Sequence, residues 1–282
     1  MEVKQRGTAF GHRIILAIYT LVGYDFVAFI LNFVALYYVL FTPAVKKSLQ
    51  SYYKHQGVKL SYRNYFRHIK MFSLSIFDRF VSRLNPEELK FNIINKNVIA
   101  KLENGGVVLF SHVGSWASAA HSLKDELQTM NIVMRENAKE TISKVENEQK
   151  RNNEQNVKII DLNQGAIASN IQIANALMNK ELVALMSDRV TDSRHSTTVS
   201  FFGSNVSINK TPFDIANRLD KPLVAIFVMR SGVKEYELSL HSIEAKTLQE
   251  LSQQYADILE DIMKKYPQQW YNFYDFFKEV KV

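Results

Sequence analysis

The chain of 282 residues contains no cysteine. That excludes a disulfide framework, a thiolate nucleophile and thiolate metal ligation. Glycine and proline are sparse, at 10 and 5 residues, which argues against a disordered or low-complexity chain. No internal repeat is found, so a repeat architecture is not expected. Metal-site spacing is missing too. His112 and His121 fall on different faces of a helix, and no regular carboxylate spacing completes a cluster. No metal and no resident cofactor are expected. The apolar N-terminal stretch has no small-residue cleavage site after it, so a signal peptide is not expected.

Hydrophobic residues make up 46% of the chain and charged residues 22%, ordinary values for a globular protein. The length suits one large α/β domain with a sizeable core and a small appendage. The net charge of +7 is unevenly spread. Residues 1–90 carry thirteen Lys/Arg against five Asp/Glu, so the remainder sums to −1. A basic third of this kind suits anionic lipid or nucleic acid. The adjoining apolar stretch selects lipid.

Between Ile14 and Phe41 the only charged residue is Asp25, and Gly23-Tyr24-Asp25 interrupts the apolar pattern. The run from Phe26 to Phe41 reaches roughly 24 Å as a helix, short of a hydrocarbon core of roughly 30 Å. Lys4, Arg6 and Arg13 precede the stretch and Lys46 and Lys47 follow it, so loop charge assigns no sidedness. The preferred expectation is a helical hairpin or tilted helix seated in one leaflet, with its basic flanks on anionic headgroups. A buried helix pair and a full span are the alternatives. Residues 51–84 mix aromatic and basic side chains, among them Tyr52, Tyr53, Lys54, Tyr65, Arg67, Phe77 and Phe80. The stretch is read as an amphipathic helix that packs its aromatic face on the main domain. A membrane-interface belt or a single-strand nucleic-acid surface are the other options.

From Asn97 onward, short apolar runs alternate with helical patterns. Val107–Phe110, Ile132–Met134, Val157–Ile160, Leu182–Met186 and Leu223–Val228 read as strands. Ser115–Gln128, Ala138–Asn147 and Gly165–Asn179 read as helices between them. This rhythm predicts a mostly parallel, twisted sheet flanked by helices on both faces. Thr198–Phe202 and Tyr236–Leu240 are expected as further strands at the edge. Thr211-Pro212 is expected to open a helix with threonine as the N-cap, and Leu248–Lys264 is a final amphipathic helix. The organisation expected is a membrane-associating segment over 1–45, an aromatic and basic helical segment over 46–96, and an α/β domain over 97–282.

Ligands of such sheets sit at the carboxyl ends of the strands. Two apolar runs end in reactive residues there: Phe110 leads to Ser111-His112, and Met186 leads to Ser187-Asp188-Arg189. If both strands point the same way, His112, Asp188 and Arg189 line one cleft. His112 is the candidate general base, and the N-terminus of the following helix is expected to favour a neutral imidazole. A satisfied structural histidine is the bland alternative.

Together these segments resemble the bacterial lipid A biosynthesis acyltransferases, the lauroyl/myristoyl group of the lysophospholipid acyltransferase superfamily, in the branch termed predicted acyltransferases. The resemblance runs over nearly the whole chain. It rests on Arg6-Gly7, Ser111-His112-x-Gly114-x-Trp116, Met186-Ser187-Asp188-Arg189-Val190, Phe201-Phe202-Gly203, Thr211-Pro212-Phe213, Lys221-Pro222 and Gln269-Trp270-Tyr271-Asn272-Phe273-Tyr274, in that order.

The resemblance implies a glycerolipid acyltransferase-like fold. It implies transfer of a fatty acyl group from acyl carrier protein or acyl-CoA to a hydroxyl of a lipid or glycolipid, at the cytoplasmic face of the inner membrane. It implies His112 as the base, with Asp188 and Arg189 as the second block, where the cation holds a phosphate or the oxyanion. It implies Ser111, Gly114 and Trp116 as substrate-binding residues beside the base. Gly203 and Thr211 wall the acyl or headgroup pocket, or serve only as a turn and a helix cap.

One position departs from the pattern. The superfamily motif is His-x-x-x-x-Asp/Glu, and the acidic place is Ala117. Three explanations stand open. Another acid enters the cleft, with Asp188 first and Asp125 or Glu126 after it; His112 is oriented by a backbone carbonyl; or the chain binds lipid as a scaffold without efficient turnover. The partners expected are the thioester donor, the lipid acceptor and a membrane surface, with no nucleic acid.

Overall fold

The computed structural model describes residues 9–118, 127–135, 157–190 and 192–278. The expected helix Ala138–Asn147 lies outside them, as do His121, Asp125 and Glu126. Four helices open the chain: α1 (Ala9–Val22), α2 (Tyr24–Phe41), α3 (Pro43–His55) and α4 (Tyr62–Leu84). Gly23, at φ +90°, breaks α1 from α2, a backbone conformation that favours glycine. Ser61 caps α4 by accepting the Asn64 N–H.

The body contains β1 (Lys90–Ile94), β2 (Gly106–Phe110), β3 (Met130–Met134), β4 (Val157–Asp161), α5 (Ala166–Met178) and β5 (Leu182–Met186). After them come β6 (Ser196–Phe201), β7 (Ser204–Asn209), α6 (Thr211–Arg218), β8 (Leu223–Arg230), β9 (Glu235–Ile243) and α7 (Leu248–Lys265). A capping box of Thr247 and Glu250 opens α7.

Seven strands form one sheet in the order β1-β9-β8-β2-β5-β3-β4, parallel throughout except where β9 meets β8 antiparallel. The central strand β2 is buried at every residue, as a sheet covered on both faces requires. Its side chains alternate between two cores. Val107 and Leu109 face a core shared with α7, α5 and Trp270, while Val108 and Phe110 face one shared with α2 and α4.

The aromatics of 51–84 supply both cores: Tyr52, Tyr53 and Tyr65 the first, Phe77 the second. The ring of Tyr52 stacks on Trp270 at 5.1 Å between centroids.

Several sequence-based expectations need correction. The strand expected over Tyr236–Leu240 is β9, and it is not at the edge. It lies between β8 and β1. Strand β1 falls inside the stretch expected to be wholly helical, because its half-exposed pattern with Lys90 and Asn92 carries no apolar run. Strands β6 and β7 make a separate hairpin. Its turn residues Phe202 (φ 47°) and Gly203 (φ 70°) both take the positive φ that a two-residue hairpin loop demands. Thr211 is the first residue of α6, and not its cap. The preceding Lys210 holds the cap position, and Asn209 Oδ1 accepts the Thr211 N–H at 3.1 Å. After His112 the described chain forms only a short 3-10 turn, Trp116–Ser118, and the rest of the helix expected to Gln128 falls mostly outside the described residues.

Candidate active site

Strands β2 and β5 are parallel neighbours in a register that sets Phe110 beside Met186. The residues that follow each strand therefore emerge together. His112 and Asp188 meet at this shared carboxyl end, where such sheets hold their ligands. The His112 backbone N–H donates to Asp188 Oδ2 at 2.7 Å, and its ring Nδ1 lies 2.9 Å from Oδ1. An ionised carboxylate only accepts, so Nδ1 donates a proton to it, and in the neutral tautomer this selects, Nε2 keeps its lone pair. The Asp188 side chain is fully buried, while that of His112 is 29% exposed, so one member is sealed and the other is reachable.

Burial alone pushes the Asp188 carboxyl up. The charge and hydrogen bond of His112, the Arg189 cation and the Asn272 amide outweigh it and hold the group below the usual carboxylate range. The ionised form persists in a site closed to water because three donors and a cation face it.

The second side chain hydrogen-bonded to Asp188 comes from the C-terminal tail. Asn272 Nδ2 donates to Asp188 Oδ2 at 2.6 Å, and Asn272 Oδ1 accepts from Arg189 Nε at 2.7 Å. Arg189 also donates to the Tyr271 carbonyl at 3.4 Å and lies over the Tyr274 ring. Tyr274 in turn donates to the Asp188 carbonyl at 3.2 Å. The tail is itself held to the loop after β2. Gly114 N–H donates to the Gln269 carbonyl at 2.9 Å, Tyr271 N–H donates to the His112 carbonyl at 2.8 Å, and Val113 bridges Trp270.

The other predicted residues separate into two groups. Ser111, Gly114 and Trp116 sit with the pair. Ser111 Oγ lies 2.7 Å from the buried Tyr255 hydroxyl, and Trp116 stacks on Phe110 at 5.2 Å. Gly114 takes φ +60°, and a Cβ there collides with the Val228 carbonyl oxygen and Met229 Sδ, so only glycine fits. Gly203 does not join the pair. It sits at the β6–β7 turn with open space where a Cβ points, beside Phe202, whose N–H donates to Glu260. Thr211 starts α6, and its contact is with Asn209.

Sequence reasoning missed Asn272 and Asn209 as site residues. Asn209 Nδ2 donates to the Met186 carbonyl at 3.0 Å, and its backbone N–H donates to the Ser187 carbonyl, so it fixes the chain just before Asp188. Neither asparagine stands beside His112 or Asp188 in sequence. Only the motif Gln269–Tyr274 marked the tail at all.

The carboxylate absent at Ala117 is thus present from another strand. No group of three or more His, Cys, Asp or Glu suited to a metal occurs among the described residues. A family model described as bacterial lipid A biosynthesis acyltransferase matches residues 53–279, more than half of the chain. No curated protein matches the chain.

Proposed function

The chain belongs to the bacterial lipid A biosynthesis acyltransferase family, and on that premise we propose that His112 is the general base of an O-acyl transfer. The donor is a fatty acyl thioester on acyl carrier protein or coenzyme A, and the acceptor is a hydroxyl of a lipid or glycolipid. One observation carries the assignment: Nδ1 of His112 is held by a buried carboxylate, and Nε2 takes no partner among the described residues.

His112 Nε2 removes the hydroxyl proton as the acceptor oxygen attacks the thioester carbonyl. The tetrahedral oxyanion collapses, the C–S bond breaks, and the thiolate takes the proton back from the imidazolium. An ester and a free thiol result. Asp188 keeps the ring oriented and steadies its charged form, as the acid of a catalytic triad does. Arg189, with Nε and one Nη held, offers its remaining N–H donors to the oxyanion or to an acceptor phosphate. No cofactor enters the scheme. The alternative, a lipid-binding scaffold without turnover, rests on Ala117 alone, and the Asp188 contact speaks for turnover.

The first helices supply the membrane contact. Helix α2 is the one described helix long and apolar enough to cross a bilayer. It packs along α4 from end to end: Tyr24 donates to Asp78 at 2.8 Å at one end, and Tyr65 donates to the Thr42 carbonyl at 3.1 Å at the other. A crossing drags α4 with it, including Arg63, Arg67, Lys70 and Arg83, at about 2.5–3.5 kcal/mol per central charge. The exposed stripe Phe26, Phe29, Phe33, Leu36 and Leu40 instead suits a seat in one leaflet, at the cytoplasmic face of the inner membrane.

The test is acyl transfer from a labelled lauroyl thioester, on acyl carrier protein or coenzyme A, into vesicles of bacterial lipid extract. The expected result is a labelled lipid ester that His112→Ala reduces by about 10²–10⁴-fold, with protein that floats with the vesicles. Transfer that survives His112→Ala sinks the assignment of the base, and protein that stays off the vesicles contradicts the membrane seat.

A further inference from the structure

Asn272 is fully buried, yet its side chain meets two charged groups of opposite sign. An amide can be turned either way about its last bond, and its partners decide which. Arg189 Nε can only donate, so it fixes Oδ1 on its own side and turns Nδ2 toward Asp188. There Oδ2 receives both the Asn272 amide and the His112 backbone N–H, which leaves Oδ1 alone for the ring. The result is a polar relay, Arg189 to Asn272 to Asp188 to His112, in which each member fixes the orientation of the next.

The relay has an electrostatic consequence. A carboxylate whose second oxygen has lost a donor concentrates more of its charge on the imidazole and draws a proton onto it. A donor on that oxygen withdraws part of the charge. We propose that Asn272 is a positioning residue: its amide, locked by Arg189, aims the Asp188 carboxylate at His112 and shares its charge.

The other groups that face the pair leave this role to the amide. Tyr255 on α7 and Tyr274 in the tail are both raised above the ordinary tyrosine range, first by burial and then by Asp188 itself, so both stay neutral. Among the described residues Arg189 is the cation that acts on Asp188, and its hydrogen bond to Asn272 links the two groups. The Asp78–Arg230 pair stands beyond Tyr271 and is closed on itself. This inference rests on His112 as the base, but its test needs no turnover.

The experiment is a titration of the His112 ring by NMR in the full chain, labelled at histidine and asparagine nitrogens and held in detergent. Asn272→Leu keeps the size of the side chain and deletes both polar contacts. It is expected to raise the midpoint of His112 by about one unit, with the acid limb of kcat moved the same way. Asn272→Gln, which keeps a donor and an acceptor, restores part of the shift. In the unmodified chain the Asn272 side-chain amide resonance moves with the same midpoint as the ring, which keeps the test decisive if Asn272→Leu does not fold. A His112 midpoint unchanged in folded Asn272→Leu, or an Asn272 amide blind to the titration, overturns the proposal. A shift as expected in protein that transfers no acyl group upholds the relay and separates it from the reading of the reaction.

Discussion

Two aspartates among the described residues are fully buried, and their surroundings differ in a way that separates a scaffold from a site. Asp78 on α4 receives Arg230 from β8, Tyr24 from α2 and Tyr236 from β9. Arg230, itself 9% exposed, also donates to the Tyr24 hydroxyl at 3.0 Å, so the cluster closes on itself. Asp188 receives instead a titratable partner, His112, whose second nitrogen takes no partner among the described residues.

The carboxyls respond in opposite directions. Burial raises Asp78 and outweighs its cation and its two tyrosines. At Asp188 the donors and the charges win. A permanent cation and phenols make a knot that ties four elements together. An imidazole and an amide make a pair that can pass a proton.

The sharpest way to break the contrast is to remove the outer partner from each cluster. His112→Ala takes about 10²–10⁴-fold from the transfer rate, and it leaves a folded chain because Asp188 keeps the Asn272 amide and a backbone donor. Arg230→Met does the reverse. It strands a buried carboxylate, and denaturant unfolding should show a loss of about 3–5 kcal/mol. Acyl transfer per folded molecule stays within a few-fold. Equal losses of activity per folded molecule in both variants erase the distinction.

A third buried group grades it further. His68 is fully buried between Tyr53 and the Trp270 carbonyl, and burial lowers it to about 4, against a smaller upward pull from that carbonyl. The unfolded chain takes up a proton near pH 6.5 that the folded chain refuses until about 4. Stability is therefore full above 6.5 and declines as pH falls through that window, by roughly 3 kcal/mol in total. Melting curves across this range should show the decline, and His68→Gln should flatten it. A decline unchanged in His68→Gln assigns it to another group.

The meeting of His112 with Asp188 was legible because two apolar runs end in the same way, and parallel neighbours in register bring such ends together. The N-terminal break was legible in Gly23, whose positive φ needs no long-range partner. Asn272 was not, since an amide between two charges leaves no periodic trace. Strand β7 was hidden for a related reason. It reads Ser-Asn-Val-Ser-Ile-Asn, and its two buried apolar residues gain meaning only once β6 pairs with them. Ala117 carried the opposite lesson. A gap in a local motif said nothing about a carboxylate that arrives from the neighbouring strand.

The central claim is that Asp188 supplies the carboxylate that this motif lacks. The most direct measurement is the acyl-transfer rate of Asp188→Asn beside that of the unmodified chain, both shown folded by the same melting curve. The account predicts a fall of about 10⁴-fold, the scale seen when a triad acid becomes an amide. A folded Asp188→Asn that transfers acyl groups at the unmodified rate contradicts it.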